Sequence, residues 1–120
     1  MITVIIPALN EEKTVAKVVQ LAVNTPGVTE VIVVDDKSLD NTVEEAKKAG
    51  ATVITSTKLG KGASMKDGVL CAGNEVLVFL DADITTYPDD VITLLANPLL
   101  EDKADFCKSY FSRQAGRVTE

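Results

Sequence analysis

The sequence predicts an α/β fold: a mainly parallel sheet with helices on both faces. Three observations carry this. Four short apolar runs rich in β-branched residues recur along the chain: "ITVIIPALN", "EVIVVDD", "ATVITS" and "EVLVFL". Segments with helical spacing of apolar residues or helix-capping chemistry separate them. Regular alternation of strand and helix at this spacing is the pattern of parallel β-α-β units.

Each element follows from local chemistry. Ile2–Asn10 reads as a buried strand stopped by Pro7 and then a turn. Asn10 is expected to cap the next helix, with Glu11 and Glu12 in its first turn facing the positive dipole end. Val15, Val18, Val19 and Ala22 form that helix's apolar stripe, and "NTPG" ends it. Glu30–Asp36 is a second buried strand. "SLDNTVEEAKKAG" supplies capping residues, a short helix with Val43 and Ala46 inward, and Gly50 as its stop. "ATVITS" is the third strand, and "KLGKGASMKDGVLCAG" a glycine-flanked loop running into a helix that ends near Gly73. After the fourth strand, "YPDDVITLLANPLL" starts a helix with Pro88 near its first position. Ala104–Arg113 is expected to be a fifth strand.

With 120 residues the chain forms one domain, residues 1–120, short for a complete two-substrate enzyme. It is 46% apolar and 25% charged, with 12 basic against 18 acidic residues. The net charge of −6 argues against nucleic acid or anionic lipid as a general partner. No apolar stretch is long enough to span a bilayer, and Met1 runs straight into strand-like sequence rather than a leader. Cys71 and Cys107 lack metal-ligand spacing. They read as reduced thiols of a cytoplasmic protein, with Cys71 a small buried helix residue and a single disulfide as the alternative. The chain has no histidine, which excludes Ser-His-Asp and Cys-His catalysis and His-based metal sites within it.

In parallel sheets, ligands bind beyond the carboxyl ends of the strands. Here those ends are "PALNEE", "DDKS", "TKLGKG" and "DAD", so each unusual polar cluster falls on one rim. Asp81 and Asp83 place two hard oxygen ligands where Mg²⁺ or Mn²⁺ would sit, provided a phosphorylated ligand completes the shell. The alternative is that Asp81 caps a turn and Asp83 is solvated. Asp35 and Asp36 cannot point the same way on a strand, so one of them faces the rim or organises the turn with Ser38. "GKG", Gly60 to Gly62, precedes a helix whose N–H groups suit an anion, with Lys61 adding charge, but it lacks P-loop spacing. "GRVT", Gly116 to Thr119, carries Arg117, a good carboxylate or phosphate partner. A phosphate-transfer receiver domain would carry its acidic pair on the first strand; here a strand and a helix precede Asp35 and Asp36.

Together, "VIIPALNEEKTV", "VIVVDDKSLDNT", "LGKGASMKDGV" and "VLVFLDAD" resemble the nucleotide-binding half of GT-A glycosyltransferases, a Rossmann-like fold, of the family 2 type. "DFCKSYFSRQAGRVTE" resembles the corresponding stretch of glucosyl-3-phosphoglycerate synthases and their mannosyl relatives. The resemblance implies a metal-dependent hexosyltransferase using a nucleotide-diphosphate sugar, UDP-glucose favoured, and a small phosphorylated acceptor such as 3-phosphoglycerate. It implies that Pro7, Ala8 and Leu9 line the nucleotide and Glu11 reaches its ribose. Asp36 accepts a hydrogen bond from the base with Ser38 nearby, and Gly60 and Lys61 meet the base or diphosphate. Asp81 and Asp83 are the implied catalytic residues: Asp83 ligates Mg²⁺ or Mn²⁺ and Asp81 orients ribose and metal shell. Gly116, Arg117, Val118 and Thr119 hold the acceptor. The resemblance further implies that the donor sugar's anomeric configuration is retained, with the departing phosphate assisting deprotonation of the acceptor. The family's further metal ligand, a histidine, and much of its acceptor site lie in a C-terminal half that this sequence does not include. That points either to a truncated or short form or to a non-catalytic nucleotide-sugar-binding module needing a partner chain. A sheet edge normally covered by that half favours a homo-oligomer.

Overall fold

The computed structural model describes residues 1–58 and 60–100, in backbone only at Lys61 and 98–100. Eight elements alternate: β1 (Ile2–Ala8), α1 (Val15–Val23), β2 (Val28–Asp35), α2 (Thr42–Ala49), β3 (Thr52–Thr55), α3 (Lys61–Cys71), β4 (Val76–Phe79) and α4 (Val91–Leu100). The strands form one parallel sheet in the order β3-β2-β1-β4. Going outward, β1 leads to β2 and β3 on one side, and the chain then returns to place β4 on the other. Right-handed crossovers therefore put α1 and α2 on one face and α3 on the opposite one. The expected fifth strand lies outside the described residues.

The core is the set of β-branched residues that marked the strands: Val4, Ile5 and Ile6 from β1, Ile32, Val33 and Val34 from β2, and Val78 from β4, all buried. Val15, Val18, Val19 and Ala22 close it from α1, as their spacing predicts. On α2 the inward residues are Thr42 and Ala46, with Val43 only half-buried, and Gly50 ends the helix in the left-handed conformation, φ 112°.

Four expectations are corrected. Asn10 does not cap α1, which starts at Val15 behind Thr14; Asn10 itself adopts φ 54°, a left-handed conformation that its short polar side chain tolerates. Glu11 and Glu12 accordingly precede the helix rather than sitting in its first turn. Cys71, the last residue of α3, is exposed. Pro88 stands three residues before α4, its carbonyl accepting the Val91 N–H at 3.1 Å.

Pro7 gives the fourth correction. It does not stop β1: it pairs with Val34, and Ala8 with Asp35. The Ile5 carbonyl accepts the Leu80 N–H, so Ile5 points its backbone groups at β4, and by alternation Pro7 does too. Pro7 has no N–H to offer there. The β1–β4 pairing ends at Ile5 and Phe79, while β1 and β2 stay paired to Ala8 and Asp35. The sheet thus opens between the ends of β1 and β4.

Helix α3 lies close to β1 and β2 because Gly68 has no side chain. A Cβ at that position would stand 2.4 Å from Ile5 Cγ2 and 3.3 Å from Val34 Cγ2. Asp67, beside it, ties the incoming loop to the helix. It accepts hydrogen bonds from the Thr57 N–H at 2.8 Å, the Thr57 hydroxyl at 3.1 Å and the Ser56 hydroxyl at 3.3 Å. The Thr57 N–H first, then those hydroxyls and the Lys66 charge, hold the Asp67 carboxyl below the usual aspartate range.

Gly68→Ala should destabilise the protein by about 1–3 kcal/mol in urea unfolding, the usual cost of overpacking. Gly62→Ala, where a Cβ would meet nothing within 4 Å, should be neutral or stabilising. A group whose folded-state pKa is lowered stabilises above its unfolded pKa, and loses that contribution as pH falls through the folded value. Asp67→Asn should therefore lower Tm at pH 7, with the gap to wild type narrowing below about pH 4.

Candidate active site at the strand ends

The strand order reverses between β1 and β4, and that reversal is where open parallel sheets bind ligands. A cavity of about 290 Å³ lies there, lined by Pro7, Ala8, Leu9, Glu11, Asp36, Gly60, Ser64, Asp81, Ala82 and Asp83. A larger groove, about 620 Å³, runs between α1 and the segment after β4, past Lys17, Leu21, Pro26, Tyr87 and Thr93. It lies off the switch point. The smaller cavity is the better candidate, because four separate chain segments deliver polar groups to it.

Strand alternation settles the adjacent acids of β2. Asp35 is buried, and its Oδ2 accepts the Ser38 N–H at 3.1 Å, organising the turn. Asp36 lies on the side of Ile5 and Val34, under α3, and faces the cavity. Its Oδ2 accepts the Gly60 N–H at 3.1 Å, so the anion at the start of α3 is in part the protein's own carboxylate. Its Oδ1 is buried and has no hydrogen-bond partner among the described residues.

Two loops are clasped together beside the cavity. The Asn10 N–H donates to the Ser38 hydroxyl and the Leu39 N–H to Asn10 Oδ1, both at 2.8 Å. The Glu11 N–H donates to the Thr42 hydroxyl at 2.8 Å, and the Thr42 hydroxyl donates to Asp40. The Thr42 hydroxyl first, then the Thr42 and Glu12 N–H groups, hold the Asp40 carboxyl below its ordinary range. This clasp fixes the backbone of Glu11 and turns its side chain to the cavity. Burial first, then the negative charges of Asp83, Asp40 and Asp81, push the Glu11 carboxyl above its ordinary pKa. Glu11, Asp81 and Asp83 are thus electrostatically coupled.

Past β4, Leu80 and Ala82 turn inward and are buried, while Asp81 is half-buried and Asp83 exposed. The Asp81 N–H, pointing away from β1, donates to the Tyr87 hydroxyl at 2.9 Å, which fixes the turn. Two carboxylates one residue apart suit a hard divalent ion that completes its shell with water and diphosphate oxygens. Among the described residues, no group of three or more His, Cys, Asp or Glu forms a self-sufficient cation cage.

The cavity therefore unites Pro7, Ala8, Leu9, Glu11, Asp36, Gly60, Asp81 and Asp83. Ser38 is not among its lining residues; its hydroxyl serves the clasp. The backbone of Lys61 begins α3. Gly116, Arg117, Val118 and Thr119 lie outside the described residues. Sequence reasoning missed Ser64 and Tyr87. Ser64 had a signal: Gly60, Ser64, Gly68 and Ala72 recur every four residues, a stripe of small residues that lets a helix lie close to a sheet.

Comparison with known proteins agrees with this fold. The family model for glycosyl transferase family 2 matches residues 3–119. The 4,4'-diaponeurosporenoate glycosyltransferase of Staphylococcus aureus is 35% identical over 102 residues, which are 80% of this chain and 27% of that protein. The structure of glucosyl-3-phosphoglycerate synthase from Mycobacterium tuberculosis superposes with a TM-score of 0.77 at 31% identity, covering 83% of this chain and 40% of that one. The same synthase has been solved with Mn²⁺, UDP and glucosyl-3-phosphoglycerate, and superposes in that form with a TM-score of 0.76. The chain spans less than half the length of these relatives. No described helix is long and apolar enough to cross a membrane. With a family match over nearly its whole length and a GT-A type parallel sheet opening on the acidic cavity, the chain belongs to glycosyltransferase family 2.

Proposed function

We propose that these residues bind the nucleotide-diphosphate sugar donor of a metal-dependent hexosyltransferase, with UDP-glucose as donor and a small phosphorylated hydroxy acid such as 3-phosphoglycerate as acceptor. The observation that carries the reading is the cavity at the strand-order reversal, where Asp36, Glu11, Asp81 and Asp83 meet. A nucleoside diphosphate with a divalent ion brings the positive charge and the base that such carboxylates suit. Glucosyl-3-phosphoglycerate synthase, which shares this fold, was solved with UDP and Mg²⁺ or Mn²⁺, which supports the choice of donor and ion.

In this reading Pro7, Ala8 and Leu9 wall the nucleoside, Glu11 meets the ribose and Asp36 the base. Asp83 holds Mg²⁺ or Mn²⁺ and Asp81 orients its shell. The chemistry supplied by such an ion when bound is stabilisation of the charge that builds on the departing diphosphate. Gly116 to Thr119 receive the acceptor, with Arg117 and Thr119 on its phosphate and carboxylate. The sugar C1 leaves the diphosphate oxygen and bonds to the acceptor oxygen, whose proton passes to the departing phosphate. A second reading, a module that binds the nucleotide sugar but needs a partner chain for transfer, is favoured by the lack of a third convergent ligand among the described residues.

Calorimetric titration with UDP-glucose should show binding that strengthens at least tenfold with Mn²⁺ and loses that gain in Asp83→Ala. Equal affinity with and without the ion contradicts the role given to Asp83. Glucosyl-3-phosphoglycerate formed on adding 3-phosphoglycerate selects the first reading; donor binding without product selects the second.

A further inference from the structure

The hydroxyl of Ser64 is buried, with the residue 1% exposed, yet it has no hydrogen-bond partner among the described residues. Such groups are costly, and a bound ligand commonly resolves them. Ser64 lies one helical turn before Gly68, which rests on Ile5 and Val34. That turn carries it over the next residues of the same strands on the same face, Pro7 and Asp36, and it lines the cavity with both. The cavity therefore contains two buried, unused hydrogen-bonding atoms, Ser64 Oγ and Asp36 Oδ1. One can donate; the other, a carboxylate oxygen, can only accept.

Resting on the donor-binding reading above, we propose that Ser64 is a base-specificity residue: its hydroxyl donates to a carbonyl of the nucleobase while Asp36 Oδ1 takes the adjacent ring N–H. The pair is complementary to an imide edge, an N–H beside a C=O, as in uracil and thymine. Cytosine presents a ring nitrogen lone pair to the carboxylate and is repelled. Guanine also carries a ring N–H beside a C=O, so this pair separates uracil from cytosine and leaves guanine to be distinguished by its larger ring system; Asp36 Oδ2 is already taken by the Gly60 N–H at 3.1 Å. The small stripe of α3 gives Ser64 this reach, since a larger residue at Gly68 would lift the helix from the sheet.

The test compares UDP, dTDP, CDP and GDP by calorimetry in the presence of Mn²⁺, on the whole chain and on Ser64→Ala. Wild type should prefer UDP over CDP by about tenfold or more, the scale set by one buried hydrogen bond. Ser64→Ala should weaken UDP about tenfold and narrow the UDP-to-CDP ratio. Its ligand-free Tm should be unchanged or raised, because the substitution removes an unsatisfied buried hydroxyl. A purely structural serine would show the opposite combination, a lowered Tm with unaltered base preference. Unchanged UDP affinity and ratio in Ser64→Ala overturn this inference alone. Failure of wild type to bind any of the four overturns the donor-binding reading and this inference with it. Equal UDP and dTDP affinity supports imide recognition with room for the methyl group; dTDP weaker than UDP but tighter than CDP supports it with the methyl group or the missing ribose hydroxyl costing affinity.

Discussion

How close α3 approaches the sheet governs much of the rest of the molecule. Gly68 lets the helix backbone settle against Ile5 and Val34, closer than any side chain would allow. From that contact follow the Gly60 N–H reaching Asp36, the burial of Ser64 and the depth of the cavity between them. Asp67 fastens the loop in front of the helix at the same height. A close-packed interior passes small displacements on rather than absorbing them. A shift of α3 would therefore be felt at the mouth of the cavity as well as in the core.

The opposite wall is made by an omission in the hydrogen-bond ladder. Proline at position 7 remains in β1 yet has no N–H to offer β4, so the two strands part after Ile5 and Phe79. The residues beyond the parting are acidic, and burial first, then the charges of Asp83, Asp40 and Asp81, raise the Glu11 pKa. Folding here leaves negative charge gathered in one place. Perturbed carboxylates cluster at functional sites, and a cation carrying a diphosphate is the class of ligand proposed for this one.

Most of the fold was legible in the sequence because burial and sequence period coincide. The β-branched runs became strands, and Val15, Val18, Val19 and Ala22 met the core as their spacing required. The errors arose where a residue's usual preference was overruled by a partner distant in sequence. Asn10 has the chemistry of a helix cap but spends its side chain on Leu39, 29 residues away. Pro7 is a strand breaker only toward one neighbour, which sequence alone could not identify. Cys71 resembled a core residue by type but follows two outward positions. The rim acids could be picked out because carboxylates are rare at the ends of apolar runs, and Asp36, Asp81 and Asp83 did converge. Ser64 was legible only as one member of the small-residue stripe on α3; serine is common on helices, and its unpartnered burial is what sets it apart.

The central claim is that the nucleotide enters at the strand-order reversal rather than the larger groove along α1. The ¹⁵N–¹H spectrum of the chain, titrated with UDP and Mg²⁺, tests this residue by residue. The account predicts shifts concentrated at the amides of Ala8, Asp36, Gly60, Ser64 and Asp83. Shifts concentrated instead at Lys17, Leu21, Thr85 and Thr93, with the first set unmoved, would contradict it.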